Sequence, residues 1–327
     1  MIRLAVTALL AFSASAAMAV EIQGHRGARG LAPENTLPAF AAALSHGVDN
    51  LELDLQITRD GHLVIGHDPA LKSYIARGPD GKWVTDPGPV IWHSTLEEIR
   101  RYDVGRLDPN SRYGQTYPEQ KPVDGTRLPT FDEFMALVRR SGAGETLRFN
   151  IEIKLDPREP DLAPSAEQYA EATVKAIRDA GIASRSTVIS FNWTTTAAVA
   201  KLAPEIEIGL ITFDANSRAE NLQRGQPGAS PWLNGHDVDT YASLPQMVKA
   251  AGGKVWVSYW RNVTPELVKE AHDLGLKINV WTVNDKPTME KMIDLGVDGI
   301  TTDYPDRLRA VMQARGLPLP PPAPVQP

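Results

Sequence analysis

Four short stretches hold the side chains that could act together: Gly24-His25-Arg26-Gly27, Glu52-Leu53-Asp54, Gly66-His67-Asp68 and Glu152-Ile153-Lys154. Residues i and i+2 of a strand share a face, so Glu52 and Asp54 can grip one cation together. Glu152 offers a third oxygen, and three carboxylates suit a hard cation such as Mg²⁺ or Ca²⁺. His25 and His67 flank the carboxylate strand and are the acid–base candidates, since imidazole titrates nearest neutral pH. Arg26 and Lys154 could hold phosphate oxygens and offset their charge. A cation site, an acid, a base and cationic contacts together suit phosphoester chemistry. The competing reading is structural, with Glu152 paired to Lys154 and Glu52 to Arg26. Trp281, in Asn279-Val-Trp-Thr-Val-Asn284, either walls a leaving-group pocket or packs the interior, and Phe191 joins it as a candidate for the substrate pocket. His46, His62, His93, His236 and His272 lack such company and read as surface or loop histidines.

These residues must be positioned by regular elements. β-rich runs occur at Glu21–His25, Asn50–Thr58, Arg148–Lys154, Ser186–Ser190, Ile206–Thr212, Lys254–Tyr259, Lys277–Val283 and Gly299–Asp303. Amphipathic helical stretches alternate with them, clearest at Thr36–His46, Ser165–Asp179, Thr194–Leu202, Pro265–Leu274, Lys286–Leu295 and Pro305–Ala314. Eight strands alternating with helices predict a parallel sheet closed into a (β/α)₈ barrel. An open doubly wound sheet is the runner-up, but no Gly-x-Gly-x-x-Gly turn follows a strand. Barrel enzymes work at the C-terminal ends of their strands, where His25-Arg26, Glu152, Lys154, Trp281 and Asp303 all fall. Two irregular segments interrupt the alternation: Pro69–Leu128, between the second and third strands, and Asp214–Ser243. Each either covers substrate or decorates the rim. The proline-rich end Gly316–Pro327 reads as a disordered polyproline-type extension.

Composition narrows the setting. The chain has 327 residues, 42% apolar and 23% charged, within the range of soluble globular proteins. Residues 1–19 read as a cleaved secretory signal, with Arg3, an apolar run from Leu4 to Ala14, and Ala17-Met18-Ala19 as cleavage site. Its removal shifts the formal charge from −6 to −7, because one of the 34 cations is lost and all 40 acids stay. An acidic surface without Lys/Arg runs argues against a nucleic-acid partner. The apolar run is too short for stable membrane insertion. There are no cysteines, which excludes disulfides, thiolate–zinc sites and cysteine nucleophiles. The periplasm is the expected address and full secretion the second. Oligomeric state is not readable from these features.

His25-Arg26-Gly27 with Pro33-Glu34-Asn35-Thr36, then Glu52-x-Asp54, His67-Asp68, Leu128-Pro-Thr-Phe131, Glu152-x-Lys154, Val280-Trp-Thr-Val-Asn284 and Gly296-Val-Asp-Gly-Ile-Thr-Thr-Asp303, resembles the glycerophosphodiester phosphodiesterase family. The match runs in order from about Gln23 to Leu308. The resemblance implies a TIM barrel that cleaves a glycerophosphodiester to glycerol phosphate and an alcohol. It implies Glu52, Asp54 and Glu152 as ligands of one divalent cation, Ca²⁺ or Mg²⁺. It further implies His25 and His67 as general acid and base, and Arg26 and Lys154 as phosphate contacts. The long segment 69–128 resembles the larger periplasmic members. Two alternatives remain: a phospholipase D-like enzyme acting on lysophospholipids, with Ile91-Trp92 as its membrane-docking candidate, and a non-catalytic binding protein on the same fold.

Overall fold

A computed structural model describes residues 20–214, 221–226 and 228–327. The leader expected at 1–19 lies outside the described residues, as does part of the segment 214–243. Nine strands form: β1 (Glu21–Gly24), β2 (Asn50–Ile57), β3 (Leu63–Ile65), β4 (Arg148–Ile153), β5 (Ser186–Ser190), β6 (Glu207–Thr212), β7 (Val255–Tyr259), β8 (Lys277–Trp281) and β9 (Gly299–Thr302). Their order is β1-β9-β8-β7-β6-β5-β4-β2, and β1 pairs again with β2, so eight parallel strands close on themselves. This is the barrel expected from the alternation. β3 is an addition: it pairs antiparallel with the end of β2, Leu55 opposite Ile65 and Ile57 opposite Leu63. Three residues are too few for a period-two pattern to show.

The helices are α1 (Leu37–His46), α2 (Leu96–Ile99), α3 (Arg112–Thr116), α4 (Phe131–Ser141), α5 (Ala166–Asp179), α6 (Trp193–Leu202), α7 (Leu244–Ala250), α8 (Pro265–Asp273), α9 (Lys286–Leu295) and α10 (Pro305–Ala314). Two of the longer ones escaped the sequence reading. α4 lies just past the segment read as irregular. It starts on a capping box, Thr130 with Glu133, and buries Phe131, Phe134 and Leu137. α7 is seven residues long, too short to establish a period.

Alternation along the barrel strands sorts side chains by chemistry. Leu51, Leu53 and Leu55 of β2, and Phe149, Ile151 and Ile153 of β4, point out and are buried under the helices. The intervening residues point inward in tiers. At the bottom Arg148 lies 3.2 Å from Glu207, and Lys277 3.0 Å from the same carboxylate. Above them Asn150 donates to Gln23 (2.9 Å), which also accepts from Thr301 (2.9 Å). The next tier up carries Glu52, Asp54 and Glu152. These buried polar groups are tolerated because each lower tier satisfies itself by hydrogen bonds.

The turn after β1 can be built only with glycine at two places. A Cβ on Gly24 would lie 2.4 Å from the Gly27 carbonyl oxygen, and one on Gly27 2.5 Å from the Ala39 backbone. Gly27 is also left-handed (φ 83°). Gly27→Ala is therefore expected to cost at least about 2 kcal/mol, from left-handed strain plus the clash. Equilibrium urea unfolding measures it.

Residues 69–128 carry their own apolar cluster, including Leu71, Ile91, Ile99, Val104 and Leu128, against the barrel rim. Ile91 is buried and Trp92 packs on the main core, so the pair is not the exposed ridge expected of a membrane-docking loop. The C-terminal segment differs from its expected disorder as well. Ala323 N–H donates to Leu44 O (2.8 Å), Arg309 to Pro320 O (2.6 Å), and Leu317, Leu319 and Val325 pack on the core. Prolines lower the entropy lost on docking such a strap, an effect composition alone does not reveal.

Candidate active site

His25 follows directly on β1, where its side chain enters the barrel mouth. Nδ1 lies 2.7 Å from Asp303 Oδ1, and since a carboxylate only accepts, Nδ1 carries the proton. Nε2 is thereby left as the basic nitrogen, 3.9 Å from Glu52. Arg29 binds the same Asp303 through Nε (2.7 Å) and Nη2 (3.1 Å), and Asn284 Nδ2 donates to it (2.7 Å). Burial would raise the Asp303 carboxyl, but Arg29 and His25 hold it far below the usual carboxylate range. Burial and the neighbouring Arg29 lower the His25 pKa to about 4, so the imidazole is neutral at neutral pH.

Glu52, Asp54 and Glu152 meet across the β2–β4 pair, where Asp54 lies opposite Glu152 in register. One oxygen from each lies within 4.8 Å of the others. Burial and the neighbouring Asp54 charge push Glu52 well above its ordinary pKa, and the same causes raise Glu152 to about 7. Asp54 goes the other way: burial would raise it, but Lys154 and Arg26 hold it well below. Asp54 Oδ1 is buried without a hydrogen bond. Three crowded buried carboxylates, two of them unable to ionise freely, fit a divalent cation of oxygen-preferring type.

The cationic contacts are more heavily engaged than the sequence implied. Arg26 is left-handed (φ 49°), and its backbone N–H donates to Glu52 Oε2 (2.7 Å). Its guanidinium reaches Glu34 (2.5 Å) and Asp54 (3.2 Å). Asn35, also left-handed, donates to Asp54 Oδ2 (2.8 Å). Lys154 Nζ lies 2.7 Å from Glu152 and 3.2 Å from Asp54. The structural pairing Glu152–Lys154 is therefore present, within the same cluster as the carboxylate triad. His67 follows β3 and is 3.3 Å from Asp68 through Nδ1. Burial, Arg26 and Lys154 lower its pKa, although a third of its side chain stays open to solvent.

A cavity of about 210 Å³ brings His25, His67, Arg26, Arg29, Glu52 and Glu152 to one wall. Ile189, Phe191, Ile211, Val257 and Trp281 form the other. At the level of the cavity the split follows the strands: β9, β1, β2 and β4 turn polar residues inward, whereas β5 to β8 present Ile189, Ile211, Val257 and Trp281 above the polar bottom tier. Trp281 stacks edge-on to Phe191 (5.5 Å) and is 5.6 Å from Phe213, so it packs the interior and lines the cavity at once. Asp54 and Lys154 stand beside this cavity through their ion pairs with Arg26 and Glu152.

Most of the chain carries the signature of one family. A model of the glycerophosphoryl diester phosphodiesterase family matches residues 25–307. The chain belongs to that family. The enzyme class is phosphoric diester hydrolase, as the relatives agree. It is 33% identical over 293 residues to a glycerophosphodiester phosphodiesterase of Caldanaerobacter subterraneus, covering 89% of this chain and 97% of the relative. A chain from Silicibacter pomeroyi, solved under a provisional name of the same activity, is 35% identical with a TM-score of 0.80, covering 92% of this chain and 96% of its own. A phosphodiesterase of Oleispira antarctica, solved with its product sn-glycerol-3-phosphate, shares the fold at 20% identity and a TM-score of 0.64, covering 90% and 97%.

Several residues that shape this hydrolase site were not singled out from the sequence. Arg29 stands one helical turn after His25, at the spacing that returns a side chain to the same neighbourhood. Tyr113 and Tyr117, from the segment 69–128, carried no signal. Tyr113 donates to Glu34 and accepts from Arg29 (3.0 Å), while the Arg29 guanidinium lies 4.8 Å over the Tyr117 ring. The segment thus braces the two arginines. Tyr113→Phe leaves a buried carboxylate oxygen and a guanidinium N–H short of a partner, and about 1–3 kcal/mol of stability is expected to be lost. Chemical denaturation reads it directly.

Proposed function

We propose that the protein hydrolyses glycerophosphodiesters to glycerol 3-phosphate and an alcohol, with His25 and His67 as the proton-transfer pair. The observation that carries this reading is a single cavity whose polar wall presents both histidines with Glu52 and Glu152, the carboxylates clustered with Asp54, and whose opposite wall is apolar. Glu52, Asp54 and Glu152 are the residues that would hold one Ca²⁺ or Mg²⁺, which supplies charge neutralisation and activation of a bound hydroxyl. Arg26 and Lys154 are assigned to the phosphate oxygens, and Trp281 and Phe191 to the carbon skeleton of glycerol.

The chain's own groups act in two steps. His25 Nε2, unprotonated because Nδ1 is committed to Asp303, takes the proton of the glycerol 2-hydroxyl. The resulting oxygen attacks phosphorus, the bond to the departing alcohol breaks, and His67 gives that alcohol its proton. A cyclic phosphate remains. In the second step His67 takes a proton from water, the hydroxide oxygen bonds to phosphorus, the bond to O2 breaks, and His25 returns a proton to it. One water is consumed and both histidines end as they began. Glycerol 3-phosphate, which the Oleispira protein holds as product, is the expected product here too.

Release of glycerol 3-phosphate from glycerophosphocholine or glycerophosphoinositol by the purified protein tests the reading. A folded protein inert to every such diester overturns it. The lysophospholipid alternative requires an apolar ridge at the barrel mouth. Among the described residues the exposed large apolar side chains are Val123 and Leu202, and Leu202 ends α6 at the opposite face. No helix among the described residues is long and apolar enough to cross a membrane. We further propose export to the periplasm, with Val20 as first residue of the mature chain. N-terminal sequencing of protein from the periplasmic fraction checks it, and an intact Met1 there excludes cleavage.

A further inference from the structure

We propose that a second cavity beside the phosphate contacts receives the departing alcohol and selects polyhydroxy alcohols over quaternary ammonium alcohols. The proposal rests on the diester-hydrolase reading above and extends it to the half of the substrate that reading leaves open.

The second cavity, of about 310 Å³, adjoins the first, and Glu152 and Phe191 wall both. Lys154 lines it, and so does Asp68, the hydrogen-bond partner of His67. His25 lines only the first cavity. An alcohol leaving a phosphorus held by Lys154, on the side where His67 delivers a proton, enters this space. The glycerol hydroxyl to be deprotonated remains in the first, with His25. His67 lines the first cavity as His25 does, and its partner Asp68 is the group that reaches the second.

The lining decides which alcohol fits. Quaternary ammonium groups are recognised by aromatic faces free to receive a cation. The two rings here, Phe191 and Trp232, each already have a protein cation nearby. Lys154 Nζ is 5.8 Å from the Phe191 centroid, and Arg158 lies 5.1 Å over Trp232. A second cation against either ring would add like-charge repulsion. Arg158 is further held by Asp156 through Nε (2.8 Å) and Nη2 (2.5 Å). The rest of the wall is apolar at Ile153, Leu155 and Leu162, and its charged positions are Asp68, Lys72, Asp156 and Glu159. Counted with Glu152, Lys154 and Arg158, four acids face three cations, a near balance that provides no strong single field for a charged head group and offers both partners that a hydroxyl needs.

The test compares kcat/KM for glycerophosphoinositol, glycerophosphoglycerol and glycerophosphocholine. The polyol diesters are expected to be favoured by about tenfold, because hydroxyl partners in the wall go unpaired with choline. Glu159→Ala and Lys72→Ala each remove a hydroxyl partner and should each cut the preference to below about threefold. Glu159 is exposed, so its variant folds even if the Lys72 variant does not. A wild-type preference at or below unity, or a preference unchanged in both variants, overturns the proposal. If no diester is cleaved, that failure belongs to the hydrolase reading. Saturation-transfer NMR with inositol and with choline then decides the cavity without turnover. An inositol signal that weakens in Glu159→Ala supports the proposal, whereas a choline signal alone, no signal from either, or an inositol signal the variant leaves unchanged overturns it.

Discussion

Treating the protein with EDTA is expected to abolish diester hydrolysis, and returning Ca²⁺ or Mg²⁺ to restore it. Glu152→Gln should lower kcat/KM by about 10³-fold at saturating cation. A bound divalent ion contributes several kcal/mol to transition-state charge stabilisation, and each 1.4 kcal/mol is tenfold in rate. Glu152→Gln is the cleaner probe of the triad because the Glu152 carboxylate pairs with the flexible Lys154 Nζ. Glu52→Ala would also free the Arg26 backbone N–H, which Glu52 fixes at 2.7 Å, and so would disturb the turn as well as the cation site. The two variants should therefore differ in stability while sharing the loss of activity. Calorimetric titration with Ca²⁺ gives a readout independent of turnover: Glu152→Gln should bind the ion more weakly. Full activity in the presence of chelator would remove the cation from the mechanism.

His25→Ala and His67→Ala are each expected to lower turnover on glycerophosphocholine by about two to four orders of magnitude, the range for one positioned proton-transfer group. Their responses to the leaving group should separate them. A p-nitrophenolate leaves without a proton, so His67→Ala should regain most of its p-nitrophenol release from glycerophosphoryl p-nitrophenol, while the cyclic phosphate accumulates because its opening still needs His67 as base. His25→Ala should not, because the glycerol hydroxyl still needs a base. The reverse pattern would exchange the two roles, and equal rescue of both would remove the two-histidine scheme. Asp303→Asn belongs with His25: it reverses the demand on Nδ1, which must then accept a hydrogen bond, and turns the wrong nitrogen toward the substrate.

Much of this site was legible along the chain because β-strands repeat every two residues. Glu52-x-Asp54 and Glu152-x-Lys154 each had to share a face, and eight strand-like runs alternating with helices had to close. The barrel and the meeting of the three carboxylates follow from those spacings. β3, α4, α7 and the docked C-terminal strap did not show. The short elements carry too few residues for a period, and the strap is held by contacts with Leu44 and Arg309 that composition does not encode.

The sequence by itself determined which residue types stand at the strand ends, and thus the reaction class. Only the tertiary structure decided which nitrogen of His25 is basic, since Asp303 stands 278 residues away and reaches it through closure of β9 on β1. It alone decided that Arg26 is shared between Glu34 and Asp54, and that Tyr113 braces Glu34 and Arg29. It also decided that the cavity at the barrel mouth is polar on one side and apolar on the other. Local spacing sets which face a side chain takes, whereas proton positions and charge balance depend on groups brought together from distant parts of the chain.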